Sequence, residues 1–87
     1  TETAYYVRLL VADEPGVLAD VTRILADLGI SIEAIMQLDR EHETSTVPVV
    51  ILTHVVKERA MNAALSRIGA LPAVRAPVNR IRVEPLA

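Results

Sequence analysis

Hydrophobic and polar positions alternate between residues 4 and 12, and this period of two predicts a first β-strand. The odd-numbered residues from 5 to 11 form one face of the strand, and Tyr6, Arg8 and Leu10 form the other. The first face is uniformly apolar or aromatic, so it is the face that we expect to line a core.

A helical spacing of apolar residues follows over residues 17–28 and predicts a first helix with one buried stripe. Pro15 suits the first helical turn, and Asp13 or Glu14 can cap it. Gly29 comes directly after the stripe, where a helix commonly ends on a glycine. The chain therefore begins with a strand that leads into a helix.

Two more strands and a second helix occupy the middle of the chain. Residues 30–38 and 46–53 predict the second and third strands, with a charged turn at residues 39–44 between them. Pro48 cannot donate a backbone hydrogen bond, so it belongs at the beginning of the third strand or at a bulge. A second apolar stripe predicts a helix over residues 57–70.

A final strand over residues 78–84 alternates apolar and basic residues. We expect Ile81 and Val83 to point to the core, and Arg80 and Arg82 to point to solvent. The element order is then β-α-β-β-α-β, and right-handed crossovers place both helices on one face of a single sheet. These features predict an α+β, ferredoxin-like domain with one four-stranded antiparallel sheet.

Two surfaces of this predicted fold lack a covering layer. The sheet face away from the helices is apolar, and such a patch is usually covered by another chain or domain. The second strand is expected at the edge of the sheet, where unpaired backbone groups invite pairing. Both surfaces predict an oligomer or a neighbouring domain. The apolar residues expected on the uncovered face are Tyr6, Leu10, Ile35, Val50 and Leu52.

The composition is that of one small globular domain, with 87 residues of which 52% are hydrophobic and 23% charged. A net charge of −2, with two adjacent tyrosines as the only aromatic residues, argues against nucleic-acid binding. No apolar run approaches the roughly 20 residues that span a membrane, no leader sequence is recognisable, and cysteine is absent from the sequence. We expect a cytoplasmic chain, and Thr1 at its start suggests a processed chain or a piece of a longer protein.

No catalytic group of residues stands out in the sequence. His42 lies in the charged turn and His54 at a strand end, so the two are apart. No serine and histidine have a spacing typical of a catalytic pair. Glu41, His42 and Glu43 are potential metal ligands, but adjacent residues in a turn form a poor cage. Glycine-rich nucleotide-binding patterns are also missing from the sequence. We therefore predict no catalytic site and no metal site.

The segment from Asp13 to Leu18 is the strongest candidate for ligand binding. It joins an inner strand to a helix N-terminus, where free N–H groups and the helix dipole attract an anion such as a carboxylate. Gly16 allows close approach to the backbone, and Asp13 can pair with the ammonium group of an amino acid. Gln37 can hydrogen-bond such a ligand from the second strand. Taken alone, these residues favour a plain capped helix start and a surface glutamine.

The pattern VADEPGVLADVTRILADLGISIEAIMQ, residues 11–37, resembles the ACT domain family. The similarity continues through four later segments, VVILTH, AMNAAL, LPAV and RIRVE. The step PGVL is shared by ACT domains in general, whereas ISIEAIMQ together with ILTH is similar to the ACT domains of bacterial homoserine dehydrogenases. The resemblance extends over nearly the whole chain, so we expect residues 1–87 to be a single ACT domain.

The resemblance implies regulation and not catalysis by this domain. ACT domains bind small effectors, usually amino acids, and in the homoserine dehydrogenase family the effector is commonly L-threonine. The implied parent is an NAD(P)-dependent oxidoreductase that reduces aspartate semialdehyde to homoserine, and its cofactor and catalytic domains are absent from these residues. Family effector sites use the loop after the first strand and residues of the second, often across an interface between two ACT domains. The corresponding positions here are Asp13, Pro15, Gly16, Val17, Leu18, Glu33, Ala34 and Gln37.

Two other functions remain open at this point. One is a structural dimerisation module that keeps the fold and binds no effector. The other is a free-standing enzyme, because the ferredoxin-like fold hosts many functions, although no acid–base pair is visible in the sequence. Titration with a panel of amino acids separates the effector module from the dimerisation module.

Overall fold

The computed structural model describes residues 2–39, 45–75 and 78–83. The helix and strand bounds agree with the sequence prediction to within two residues, apart from a two-residue strand that the pattern does not predict. Residues 40–44 of the charged turn, Pro77 and Glu84 lie outside the described residues. The elements are β1 (Glu2–Ala12), α1 (Val17–Asp27), β2 (Ile32–Gln37), β3 (Thr46–Thr53), β4 (Val56–Lys57), α2 (Glu58–Gly69) and β5 (Asn79–Val83).

All five described strands belong to one antiparallel sheet, in which β1 is central. β3 pairs with residues 6–12 of β1, and β2 pairs with the far side of β3, so β2 lies at an edge of the sheet as expected. β5 pairs with residues 4–8 of β1, and the short β4 pairs with Glu2 and Thr3. The predicted α+β, ferredoxin-like architecture is confirmed, with β4 as an additional short strand.

The core lies between one face of the sheet and the apolar stripes of both helices, as the periodicity predicts. We call this side of the sheet the inner face and the opposite side the outer face. Burying one large apolar side chain there stabilises the fold by about 1.5–3 kcal/mol. The cluster includes Tyr5, Val7, Leu9, Val11, Val21, Leu25, Val49, Ile51, Met61, Ala64 and Ile68.

α1 ends on a glycine, as its sequence predicts. Gly29 has a φ of 72°, and its N–H donates to the Ala26 carbonyl at 3.0 Å. The N–H of Ile30 donates to the Leu25 carbonyl at 2.9 Å. These two bonds form a Schellman motif, which satisfies the last carbonyls of the helix. The motif also turns the chain so that Ile30 enters the core ahead of β2.

The two faces of β5 are opposite to those predicted from the sequence. The register pairs Tyr5 with Arg82 and Tyr6 with Ile81. Directly opposed residues of neighbouring strands share a face, and Tyr5 belongs to the core. Arg82 therefore lies on the inner face, whereas Ile81 and Val83 lie on the outer face and are exposed.

The arginines of β5 lie on the inner face because α2 and the core give them partners there. Arg82 forms an ion pair with Glu58 at 3.1 Å. The guanidinium of Arg80 lies 5.7 Å from the centre of the Tyr5 ring and donates to the Asn62 side chain. A cation over an aromatic ring is favourable, so long basic side chains fill the border between β5 and α2.

Ile35 also lies on the face opposite to the one predicted. The register shifts between Ile32 and Ala34, which marks a β-bulge, and the simple alternation of faces is broken there. Beyond the bulge Ile35 pairs with Ile51, which lies on the inner face. Met36 lies on the outer face, in the position predicted for Ile35. The other four apolar residues expected on the outer face do lie there.

Pro48 is the third residue of β3 and pairs in register with Leu10. Its carbonyl accepts a hydrogen bond from the Leu38 N–H at 2.9 Å, so its backbone groups point toward β2. β2 ends at Gln37, and the missing N–H therefore affects only the last rung between β2 and β3. The proline lies near the beginning of the strand, as expected, and the pairing of β3 with β1 continues past it.

Leu25→Ala tests the packing of α1 on the sheet. Leu25 is 2% exposed, so its truncation should lower the free energy of unfolding by about 2–5 kcal/mol. Leu38→Ala removes the same atoms from a side chain that is 36% exposed, and it should cost about 1 kcal/mol or less. Denaturant titration measures both values. Equal losses for the two variants would show that the helix stripe does not face the sheet.

Candidate functional site

The loop between β1 and α1, residues 13–16, is held by hydrogen bonds on both sides of β1. The Asp13 N–H donates to the Ser45 carbonyl at 2.9 Å, which continues the β1–β3 pairing past the strand end. On the opposite side the Ala12 N–H donates to the Ala73 carbonyl at 2.7 Å. Ser45 and Ala73 act through their backbone carbonyls, so no side-chain pattern in the sequence identifies them.

Pro15 and Gly16 form a turn that sets the direction of α1. Gly16 has φ 87° and ψ −9°, values typical of the third residue of a type II turn, in which proline often precedes glycine. α1 begins at Val17, so Pro15 lies before the helix and not in its first turn. The predicted capping by Asp13 or Glu14 is wrong as well, because Gly16 occupies the N-cap position and no side chain caps the helix.

The uncapped start of α1 leaves its first backbone N–H groups available to a ligand. The first helical hydrogen bond runs from the Asp20 N–H to the Gly16 carbonyl at 3.0 Å, so the N–H groups of Val17 and Leu18 precede the helical ladder. Space is open at Gly16, since a Cβ built there would meet no heavy atom within 4 Å. The free N–H groups, the positive end of the helix dipole and the open space are together suited to binding a carboxylate.

Gln37 lies at the same end of the sheet as this loop and on the same side as α1. The register aligns it with Val49 and, across β3, with Leu9 of the inner face. Two strand spacings, about 10 Å, separate Gln37 from β1, and Asp13 lies about 13 Å further along the strand direction. A small amino acid cannot bridge these two side chains within one copy of the chain.

The other predicted site residues occupy different positions. Val17 is buried in the core, and Leu18 is half-buried at its border. Glu33 is exposed at the bulge, at the opposite end of β2 from Gln37, and Ala34 lies on the outer face. One copy of the chain therefore brings the loop residues together but leaves the residues of β2 apart from them.

A groove of about 460 Å³ between the two helices is a second concave surface. Its charged side chains pair with one another: Arg23 contacts Asp20, and Arg67 contacts Asp27 at 3.3 Å. Ion pairs as exposed as these contribute little to stability. The loop is the better candidate site because the first N–H groups of α1 are uncapped there.

Within residues 2–39, 45–75 and 78–83, no three His, Cys, Asp or Glu side chains are grouped closely enough to hold a metal ion. His54 is exposed just after β3, and the potential ligands at residues 41–43 lie outside the described part of the chain. In that described part, no helix has the length and apolar character needed to cross a membrane.

The sequence of this chain is similar to the sequences of known proteins. The ACT domain family model matches residues 5–73. The homoserine dehydrogenase of Methylobacillus glycogenes is 48% identical over 85 residues, which are 98% of this chain and 21% of that protein. The chain thus spans about a fifth of the length of the curated relatives it matches.

Solved structures share its fold. A homoserine dehydrogenase from Thiobacillus denitrificans superposes with a TM-score of 0.86 at 50% identity, over 97% of this chain and 18% of that one. The ACT domain of a GTP pyrophosphokinase from Chlorobium tepidum superposes with a TM-score of 0.72 at 14% identity, over 93% of this chain and 100% of that one. The second likeness concerns the fold alone. The resemblance identified from the sequence pattern is confirmed.

Gly16→Ala and Gly69→Ala form a matched pair that tests the turn before α1. An added Cβ meets no heavy atom within 4 Å at either position, but of these two residues only Gly16 has a positive φ. Gly16→Ala should lower the free energy of unfolding by about 1–2 kcal/mol, whereas Gly69→Ala, at the last residue of α2, should raise it by about 0.5 kcal/mol. Denaturant titration of both variants measures the difference. A stabilising Gly16→Ala would contradict the turn geometry.

Proposed function

Because the chain belongs to the ACT domain family, we propose that it is the regulatory domain of a homoserine dehydrogenase, with the amino acid L-threonine as its effector. The identity of 48% with the Methylobacillus glycogenes enzyme over almost the whole chain supports this parent. In this proposal the catalytic part of the polypeptide holds NAD(P) and performs the oxidoreduction in the cytoplasm. The ACT domain holds no cofactor and exerts feedback control.

The observation that carries the effector proposal is the uncapped start of α1, which follows the loop that begins at Asp13. The N–H groups of Val17 and Leu18 can donate to the α-carboxylate of the ligand, and the Asp13 carboxylate can accept from its ammonium group. A hydrogen bond to a charged group contributes about 1.5–3 kcal/mol. The open space at Gly16 leaves room for a small side chain such as that of threonine.

The free edge of β2 supports an assembly of two copies. The Leu38 N–H points to β3, and successive residues of a strand direct their backbone groups to opposite sides. Ile35 and Gln37 therefore direct theirs away from β3, where they can pair with the same groups of a second β2. Antiparallel pairing of this kind extends the two sheets into one.

Such pairing would bring residues of β2 from both copies together. In an antiparallel pair, the beginning of one strand lies beside the end of the other. Glu33 of the second copy then comes beside Gln37 of the first, at the sheet end that carries residues 13–16. Pairing thus brings Gln37 and Glu33 together, whereas residues 13–16 remain two strand spacings from Gln37, so effector binding at the loop and pairing through β2 are two separate parts of the proposal.

Asp13→Asn tests the pairing with the ligand's ammonium group. The substitution keeps the shape of the side chain and removes its charge, so affinity for L-threonine should fall roughly 10- to 150-fold. Isothermal titration of the 87-residue chain measures the affinity, after circular dichroism has confirmed the fold. Asp27→Asn makes the same change at the last residue of α1 and should leave the affinity unchanged.

Gly16→Asn provides a second probe of the same site. Asparagine tolerates a positive φ, and its side chain would occupy the open space in which we place the ligand. If Asp13→Asn and Gly16→Asn both bind threonine as tightly as the unmodified chain, the site lies elsewhere. If the unmodified chain binds no amino acid of a broad panel, the structural dimerisation module is the better assignment.

Ile35→Pro tests the pairing of two β2 edges. Proline removes only the N–H that Ile35 directs away from β3, and edge strands tolerate proline on their free side. In sedimentation at high micromolar concentration we expect a dimer for the unmodified chain and a monomer for Ile35→Pro. Ile35→Val keeps the N–H and should remain dimeric. A monomeric unmodified chain would refute the assembly through β2.

A further inference from the structure

The outer face of the sheet is an apolar surface that no described element covers. Both helices pack on the inner face, and on the outer face Ile81 is 63% exposed and Met36 46% exposed. A contiguous exposed apolar surface usually marks a protein contact site. Its exposed apolar members are Met36, Ile81 and Val83, and the half-buried ones are Ala4, Tyr6, Leu10, Ala34 and Leu52; Val50 of the same face is only 2% exposed.

One positive charge lies in the middle of this face. Arg8 is exposed between Val50 and Asn79, and none of the ion pairs among the described residues involves it. At the end of the face Glu2 stands opposite Lys57, so those two charges offset each other. Arg75 is also exposed, and its N–H donates to the carbonyl of Leu10, a residue of this face. The outer face therefore presents an apolar surface with an excess of positive charge.

This charge argues against a second copy as the occupant of the face. Stacking two outer faces would bury two Arg8 guanidinium groups with no described carboxylate between them, and an unpaired buried charge is strongly unfavourable. Complementarity requires a partner surface that is apolar and carries a carboxylate opposite Arg8. The β2 edge remains available for contacts between copies, because it is a different surface of the sheet.

We propose that the outer face docks on the dehydrogenase portion of the same polypeptide, on an apolar surface with a carboxylate facing Arg8. This inference rests on the proposed function. The chain makes up only 21% of the Methylobacillus glycogenes enzyme, so most of such a polypeptide lies outside this domain and can supply the covering surface. In this arrangement the β2 edge joins two copies, and the outer face joins each copy to its catalytic portion.

The two methionines of the chain allow the covering of the outer face to be measured. Met36 lies on that face, whereas Met61 is completely buried in the core. Limited treatment with hydrogen peroxide oxidises accessible methionine to the sulfoxide, and mass spectrometry reads each site separately. In the 87-residue chain Met36 should oxidise much faster than Met61. In the full-length polypeptide Met36 should become as slow as Met61.

Arg8→Glu in the full-length polypeptide separates docking from the pairing of copies. The reversed charge places a carboxylate against a carboxylate, so Met36 should return to the oxidation rate that it has in the 87-residue chain. Arg59→Glu makes the same change at an exposed residue of α2 and should leave Met36 protected. Pairing through β2 does not involve Arg8, so protection that survives Arg8→Glu would overturn the proposal.

Two further results would also overturn it. One is rapid oxidation of Met36 in the unmodified full-length polypeptide. The other is protection of Met36 in the 87-residue chain that grows with concentration and is lost in Ile81→Asp, because a second copy would then cover the face. Threonine binding and homoserine oxidation are measured independently of methionine protection, so a failure of the proposed function and a failure of the docking surface are distinguishable.

Discussion

The pairing of β1 on both of its edges is the constraint on which the rest of the structure depends. β3 and β5 hydrogen-bond to opposite sides of this strand, its inner face carries much of the core, and its end is held between Ser45 and Ala73. A strand fixed in this way cannot slip by one residue without exposing its core face and breaking both ladders. The loop at residues 13–16 continues directly from it, so the direction of α1 and of its first N–H groups is fixed before a ligand binds.

Local signals in the sequence are sufficient to predict the order of the elements. The period of apolar residues in a strand or a helix, and a helix-ending glycine such as Gly29, each depend on only a few neighbouring residues. The two errors in facing have non-local causes. The bulge near Glu33 depends on how β2 meets β3, and the orientation of β5 depends on the partners that α2 and the core offer to its arginines. Alternation shows which residues share a face. It does not show which face meets the core when the outer face is also apolar.

The sequence predicts the part of the candidate site that lies in the loop between β1 and α1, but not the part that lies on β2. Pro15 and Gly16 carry their own turn chemistry, so the position of the turn follows from the sequence. The missing cap does not follow, because Asp13 and Glu14 are residue types that cap helices, and only the turn geometry moves the N-cap to Gly16. Glu33 and Gln37 lie at opposite ends of β2, and the sequence of one chain holds no information on the geometry between two copies.

In the proposed assembly the edge and the outer face of the sheet have complementary functions. Pairing through β2 makes the outer faces of two copies continuous, and the twist between neighbouring strands, about 20–25° on average, sets the angle between them. An effector shifts an equilibrium only by binding one arrangement better than the other. A ligand that contacts Gln37 of one copy and Glu33 of the next would have that property, because the distance between those residues changes with the angle at the seam. Catalytic portions docked on the two outer faces would move with that angle, so regulation would arise between copies while β1 keeps each copy rigid.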